Sequence, residues 1–322
     1  MRLFWAHSLS RFSQGQSQGL IWNRGRRMRP LFTRRETGEE GRGEKEMNYG
    51  KTNLGLLSAL RLFGDAVNSC RADNAVLPWG PMLPYVYPRY GENANRYFYI
   101  GRDTYGWDLG SGVGFGDFFA KYDAGDLSGY LRMNGTALTT EKRINCWSGY
   151  TGSFWHVVNM LHLRLRQGVM PNMGGLTTEQ IALLDEIGYG NLNSIELPVT
   201  LQKQECWDDI DHGKYETIKW ASDEYLDRYA LVHDTFKPTV SIITTWSGDE
   251  GHYFKGLNYN MLAEETRGKI KIAVYLVKNG CHTSIVVWTY HPSYLPRIHI
   301  SCEDFVECIA KVVEKYQGQD LI

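Results

Sequence analysis

An alternation of two hydrophobic periods constrains this chain more than any other feature. Runs of β-branched and aromatic residues at 97–100, 240–246, 270–277 and 284–290, each bounded by turn residues, predict four strands. Before, between and after them, apolar residues recur at helical spacing over 53–63, 154–165, 177–187, 217–236 and 302–316. In the last of these Phe305, Ile309, Val312, Val313 and Tyr316 share one stripe. Strand alternating with helix predicts an α/β fold, with a central, mostly parallel four-stranded sheet flanked by helices in three α/β/α layers. In such sheets ligands sit beyond the carboxyl ends of the strands, so the loops after Ile100, Trp246 and Tyr290 are where a site is expected.

The chain has 322 residues, of which 43% are hydrophobic and 22% charged, and no apolar run nears the ~18 residues of a membrane span. These values predict a soluble globular protein with no membrane segment, and a monomer is expected. Residues 1–46 hold 10 of the 35 Lys and Arg but 5 of the 36 Asp and Glu, leaving 25 against 31 in the remainder. They are rich in Arg, Gly, Gln and Ser without apolar periodicity, and are expected to be a disordered or non-native extension before a domain at 47–322. The purine-rich codons implied by Gly43-Glu-Lys-Glu46 suggest translation starting at Met47. Six cysteines without a C-x-x-C pair offer neither zinc nor iron-sulfur spacing, and without a secretory signal a cytoplasmic location is expected. The body is mildly acidic, so any nucleic-acid site must be a local patch.

Two loops carry concentrated chemistry. After the first strand comes Gly101-Arg-Asp-Thr-Tyr-Gly-Trp107, and after the last His291-Pro-Ser-Tyr-Leu-Pro296. Taken singly, a loop Asp is more often a turn or cap and a loop His a surface residue. Together, and in this order, they resemble the signature loops of the uracil-DNA glycosylase superfamily, Gly-Gln-Asp-Pro-Tyr-His and His-Pro-Ser-Pro-Leu-Ser. Gly101, Asp103 and Tyr105 match the first, from which Arg102, Thr104 and Gly106 depart. His291, Pro292, Ser293 and Leu295 match the second, from which Tyr294 and Pro296 depart. Between them Asn191-Leu-Asn-Ser-Ile195 resembles the strand end bearing the family's base-reading asparagine, with Asn191 the first choice and Asn193 the second.

The resemblance implies a DNA glycosylase that flips a modified pyrimidine out of double-stranded or locally opened DNA and hydrolyses its glycosidic bond without a cofactor, metal or iron-sulfur cluster. Cleavage builds positive charge on the sugar and negative charge on the departing base. By resemblance Asp103 polarises water and offsets the oxocarbenium-like sugar, while His291, able to act when neutral, donates to the pyrimidine O2. Loss of either should lower the rate ~100-fold or more, about 3 kcal/mol. Gly101, Arg102 and Tyr105 would line the base pocket, and Phe115 would floor it unless it packs in the core with Phe118 and Phe119. Ser293 and Arg297 would contact DNA. Leu295 would wedge into the vacated base stack, with core packing as the alternative.

The long separation of the two loops marks residues around 117–179 as an insertion forming a lid or wall. A larger pocket suits glucosylated hydroxymethylcytosine of phage DNA, hence anti-phage defence, with uracil or another deaminated base as the alternative. A catalytically silent reader of modified DNA is a further class, against which the presence of both Asp103 and His291 argues. The glycines of 110–116 lie too far beyond the strand for a dinucleotide fingerprint. Asp249, Glu250 and His252 suit a solvated loop better than a metal site.

Overall fold

Seven strands form one mixed sheet: β1 (Tyr85–Val86), β2 (Tyr97–Gly101), β3 (Gly188–Asn191), β4 (Val240–Thr244), β5 (Asn258–Arg267), β6 (Ile270–Asn279) and β7 (His282–Thr289), in the order β1-β3-β2-β4-β7-β6-β5. The computed structural model describes residues 53–71, 77–102, 114–136, 139–145, 150–196, 211–245 and 250–317, all within the unit Glu46–Ile322. Its helices are α1 (Leu54–Val67), α2 (Phe115–Asp123), α3 (Leu127–Thr136), α4 (Thr140–Asn145), α5 (Tyr150–Gln167), α6 (Thr178–Leu183), α7 (His212–Tyr225), α8 (Tyr229–Phe236), α9 (Glu250–Tyr253), α10 (Leu295–Ile298) and α11 (Cys302–Gln317). None is long and apolar enough to cross a membrane among the described residues.

The α/β class matches the expectation, but the sheet is larger and more mixed than four strands. Adjacent strands β3, β2, β4 and β7 run parallel, while β1 and the β6–β5 pair join antiparallel at the two ends. Residues 270–277, expected among the parallel strands, belong to β6. Asn279 pairs with His282, leaving Gly280 (φ +56°) and Cys281 as a two-residue turn, which can only join antiparallel strands.

Side chains alternate across the sheet. Tyr97, Tyr99, Ile242 and Val287 enter one core with Val157, Leu161 and Leu163 of α5 and with Phe305, Ile309 and Val313 of α11. Phe98, Ile100, Ile243 and Val286 enter a second core beneath α1, α2, α3, α7 and α8, where Phe63, Phe118, Tyr130, Ile218 and Tyr229 are fully buried. Each such side chain contributes roughly 1.5–3 kcal/mol of transfer free energy. Arg164 of α5 binds Glu307 and Glu314 of α11, each at 2.7 Å, joining the two helices of the first layer.

Two boundaries need correcting. The 117–179 segment, expected to form a lid or wall, contributes α3 and α5, whose apolar faces cover the two sides of the sheet. Residues 217–236 are two helices, interrupted at Leu226–Arg228. There the buried Asp227 turns inward to accept hydrogen bonds from the Ser194 N–H and the Ser222 hydroxyl, both at 2.7 Å.

Candidate active site

The carboxyl ends of the parallel strands bring three separated segments to one edge. Gly101 closes β2 directly beside Asn191, the last residue of β3. On the other side Thr244 of β4 pairs with Thr289 of β7, two residues before His291. The chain beyond β3 folds over the end of β2, since Leu192 N–H donates to Gly101 O (2.9 Å) and Asn193 N–H to Arg102 O (3.0 Å). The start of the first loop and the Asn191–Ile195 segment are thus joined through the backbone. Asp227 braces the next residue, Ser194, and burial pushes its carboxyl up to about 6 against the lowering effect of its serine hydrogen bonds.

His291 is oriented on two sides. It precedes the 3-10 turn Pro292–Tyr294, and the Ser293 N–H donates to its Nδ1 at 3.2 Å. A backbone N–H is only a donor, so in the neutral ring Nδ1 is the acceptor and the proton resides on Nε2. The Ser293 Oγ lies 2.8 Å from the same nitrogen. Ser293, expected to contact a phosphate, thus sits within hydrogen-bond distance of the imidazole. The His291 ring also stacks on Phe154 of α5, with centroids 6.0 Å apart and planes at 15°.

Phe154 was not among the expected site residues, yet it joins all three segments. It touches His291, Tyr189 of β3 (5.6 Å) and Trp155 (5.2 Å), and it is 6% exposed. A Cβ added at Gly101 would lie 3.3 Å from its ring and 2.8 Å from Asn191 Oδ1, so glycine is required for these groups to close on the strand end. The Tyr189 hydroxyl donates to Asn191 Oδ1 at 3.0 Å, which directs the amide nitrogen of Asn191 to the remaining hydrogen-bonding role, that of a donor. Neither aromatic carries a sequence signal, because each sits where core packing alone explains it.

The other expected residues divide. Arg102 is exposed at the site edge and Asn193 is half-buried beside it, whereas Asp103 and Tyr105 lie outside the described residues, as do Gly110 and Gly112. Phe115 does not floor this edge: it is 3% exposed in the second core, against Phe63, Phe118 and Phe119. Leu295 is corrected from DNA wedge to core residue. It starts α10, is 1% exposed and belongs to the core under α5 and α11, because the short helix turns its first residue inward. The exposed ring of this loop is Tyr294, packed on Tyr290 at 5.4 Å, with the Arg297 guanidinium 6.0 Å from its centroid.

Among the described residues no group of three or more His, Cys, Asp or Glu side chains is arranged to hold a metal ion. Glu250 and His252 lie on the short helix α9, and Asp249 is outside the described residues. What the edge offers chemically is a tautomer-fixed imidazole, an amide oriented by a phenol and two backbone segments clamped together, beyond the ends of parallel strands. Comparison with protein-family models, with curated proteins and with solved structures finds no match to this chain.

Proposed function

We propose that the chain is a DNA glycosylase of the uracil-DNA glycosylase type, which hydrolyses the N-glycosidic bond of a pyrimidine held at this edge and leaves an abasic site. The observation that carries the reading is the setting of His291. Its Nδ1 accepts from the Ser293 N–H and its face stacks on Phe154, so the Nε2–H of the ring is an oriented donor beside the ends of β2 and β3. A preorganised donor suits the negative charge that grows on a departing pyrimidine, and it needs no protonated imidazole. Parallel strands β3, β2, β4 and β7 within the seven-stranded mixed sheet support an α/β frame whose carboxyl ends carry this edge.

In this reading Asp103, next in sequence after Arg102, supplies the carboxylate that polarises water and offsets charge on the sugar. Asn191 reads the base edge, Tyr105 meets its C5 side, and Arg102 and Arg297 attract phosphates. Excision of glucosylated hydroxymethylcytosine from phage DNA is the defence reading. Uracil is the second, and the Tyr189–Asn191 hydrogen bond favours it: with its oxygen engaged, the amide has its nitrogen left to donate to a C4 carbonyl, which uracil has and cytosine derivatives lack.

The test incubates purified protein with uracil-containing, unmodified and glucosyl-hydroxymethylcytosine DNA in the presence of a chelator. Released base is detected by mass spectrometry, abasic sites by alkaline cleavage, and Asp103→Ala serves as control. Release from one DNA, lost in the variant, is expected and names the substrate. Binding without release from any of them overturns the enzyme reading in favour of a silent reader of modified DNA.

A further inference from the structure

The hairpin formed by β5 and β6 has no counterpart in the sequence motifs, yet it ends beside them. Because β6 runs antiparallel to β7, its first residues lie at the carboxyl edge of β7, and the register that pairs Ala273 with Trp288 brings Lys271 beside Tyr290 when continued. The Thr289 hydroxyl donates to Lys271 O at 2.9 Å, which holds that continuation. At the preceding two-residue turn, Lys269 Nζ donates to Ile298 O (3.1 Å) at the end of α10. The turn is thereby tied to the helix that carries Arg297.

These contacts make one continuous strip over the sheet edge: Lys271, Tyr290, Tyr294, Arg297 and Lys269. Lys269, Lys271, Arg297 and Tyr294 are exposed, and among the described residues none of the three cations pairs with a carboxylate, while neighbouring Arg267 and Lys311 pair with Glu265 and Glu307. A shallow cleft of about 520 Å³ opens behind the turn. The two carboxylates on its wall are engaged, Glu307 by Arg164 and Asp304 by Ser301. Cations without carboxylate partners beside the exposed Tyr294 ring favour a polyanion that also carries flat bases.

We infer that this strip is a docking rail for a DNA strand leaving the candidate pocket, with backbone phosphates on Lys269, Lys271 and Arg297 and a base stacked on Tyr294. The inference rests on the glycosylase reading for its choice of DNA, but it stands on binding alone. The rail begins one residue before His291, so a strand lying on it passes the site. It also supplies locally the positive charge that the acidic body lacks as a whole.

The experiment measures anisotropy of a fluorescein-labelled duplex containing one tetrahydrofuran abasic site, and of the same sequence as single-stranded DNA and RNA, from 50 to 200 mM salt. Each phosphate contact contributes about 0.9 to the slope of log affinity against log salt on duplex DNA. Lys269→Gln with Lys271→Gln is therefore expected to lower the slope by about two and to weaken binding about tenfold. Lys271→Gln alone, which leaves the Lys269 tie intact, should lower the slope by about one. Tyr294→Ala should weaken binding several-fold with the slope unchanged, and Lys237→Glu, on an exposed site before β4 at the opposite edge, should alter neither. Wild-type slope in both lysine variants overturns the rail and leaves the glycosylase reading standing. Reduced slopes in a protein that releases no base uphold the rail and overturn the enzyme reading. Tighter binding of RNA than of either DNA, or no binding of DNA at all, overturns the rail.

Discussion

Replacing Gly101 with alanine adds a single methyl group at the most crowded point of the candidate site. Its Cβ would stand 2.8 Å from Asn191 Oδ1 and 3.3 Å from Phe154, against an ordinary contact of about 3.5 Å or more. Neither neighbour retreats easily. Asn191 is held by the Tyr189 hydroxyl, and Phe154 is enclosed by Trp155, Tyr189 and His291. Gly101 is a strand residue without positive φ, so the backbone tolerates alanine and the cost is one of contact alone. Overpacking of this kind costs about 1–3 kcal/mol, and loss of the Tyr189–Asn191 hydrogen bond adds about 1. For a domain of this size that corresponds to a fall in Tm of roughly 2–10 °C. Displacement of Asn191 or His291 by about 1 Å should slow single-turnover base release about 100-fold. Thermal unfolding and quenched-flow release assays read the two effects separately. A Gly101→Ala protein with wild-type Tm and wild-type release rate would refute the packing argument and the site built on it.

Leu295→Ala should destabilise the fold by about 2–5 kcal/mol in denaturant titrations while leaving the salt slope of DNA binding unchanged; a DNA-binding defect at full stability would restore the wedge role. Phe154→Leu keeps the core filled but removes the flat support of His291, so kcat for base release should fall about tenfold or more with KM little changed, and an unaltered kcat would count against ring stacking as the orienting contact. Asp227 titrates in the folded state at about 6, above its unfolded value near 4, so its stabilising contribution is fully present below pH 4 and is lost as pH rises through 6. Asp227→Asn, which keeps an acceptor for Ser194 N–H, should therefore stabilise the fold at pH 8 relative to wild type by about 2 kcal/mol more than at pH 4.5, read from denaturant titrations; an equal change at both pH values would refute burial of the ionised carboxylate.

Much of the fold was legible because burial in this protein follows period. Strands β2, β4, β6 and β7 are apolar runs, and α5 and α11 are stripes whose spacing survives any tertiary arrangement. The strands that escaped detection lack that signature for identifiable reasons. β3 reads Gly-Tyr-Gly-Asn, a poor strand by composition, and its glycines are needed because a Cβ at Gly188 would stand 2.2 Å from Phe98 and one at Gly190 would stand 3.1 Å from Pro84. β5 is an exposed edge strand with mostly polar residues, so no alternation marks it. The direction of β6 was readable in principle, since Asn279-Gly280 is a hairpin signal between two apolar runs.

The sequence by itself determined the α/β class, the positions of the loops that follow the parallel strands, and the residue types gathered in them. Local periodicity and short motifs depend only on neighbours along the chain, and those are visible in a string of letters. Tertiary structure alone decided that Leu295 turns inward while Tyr294 faces out, and that Phe115 belongs to the core and Phe154 to the candidate site. It also brought the lysines of the β5–β6 turn to the same edge. Each of these outcomes is set by which surfaces meet across the sheet, between residues tens to more than a hundred positions apart, where spacing in sequence carries no record of distance in space.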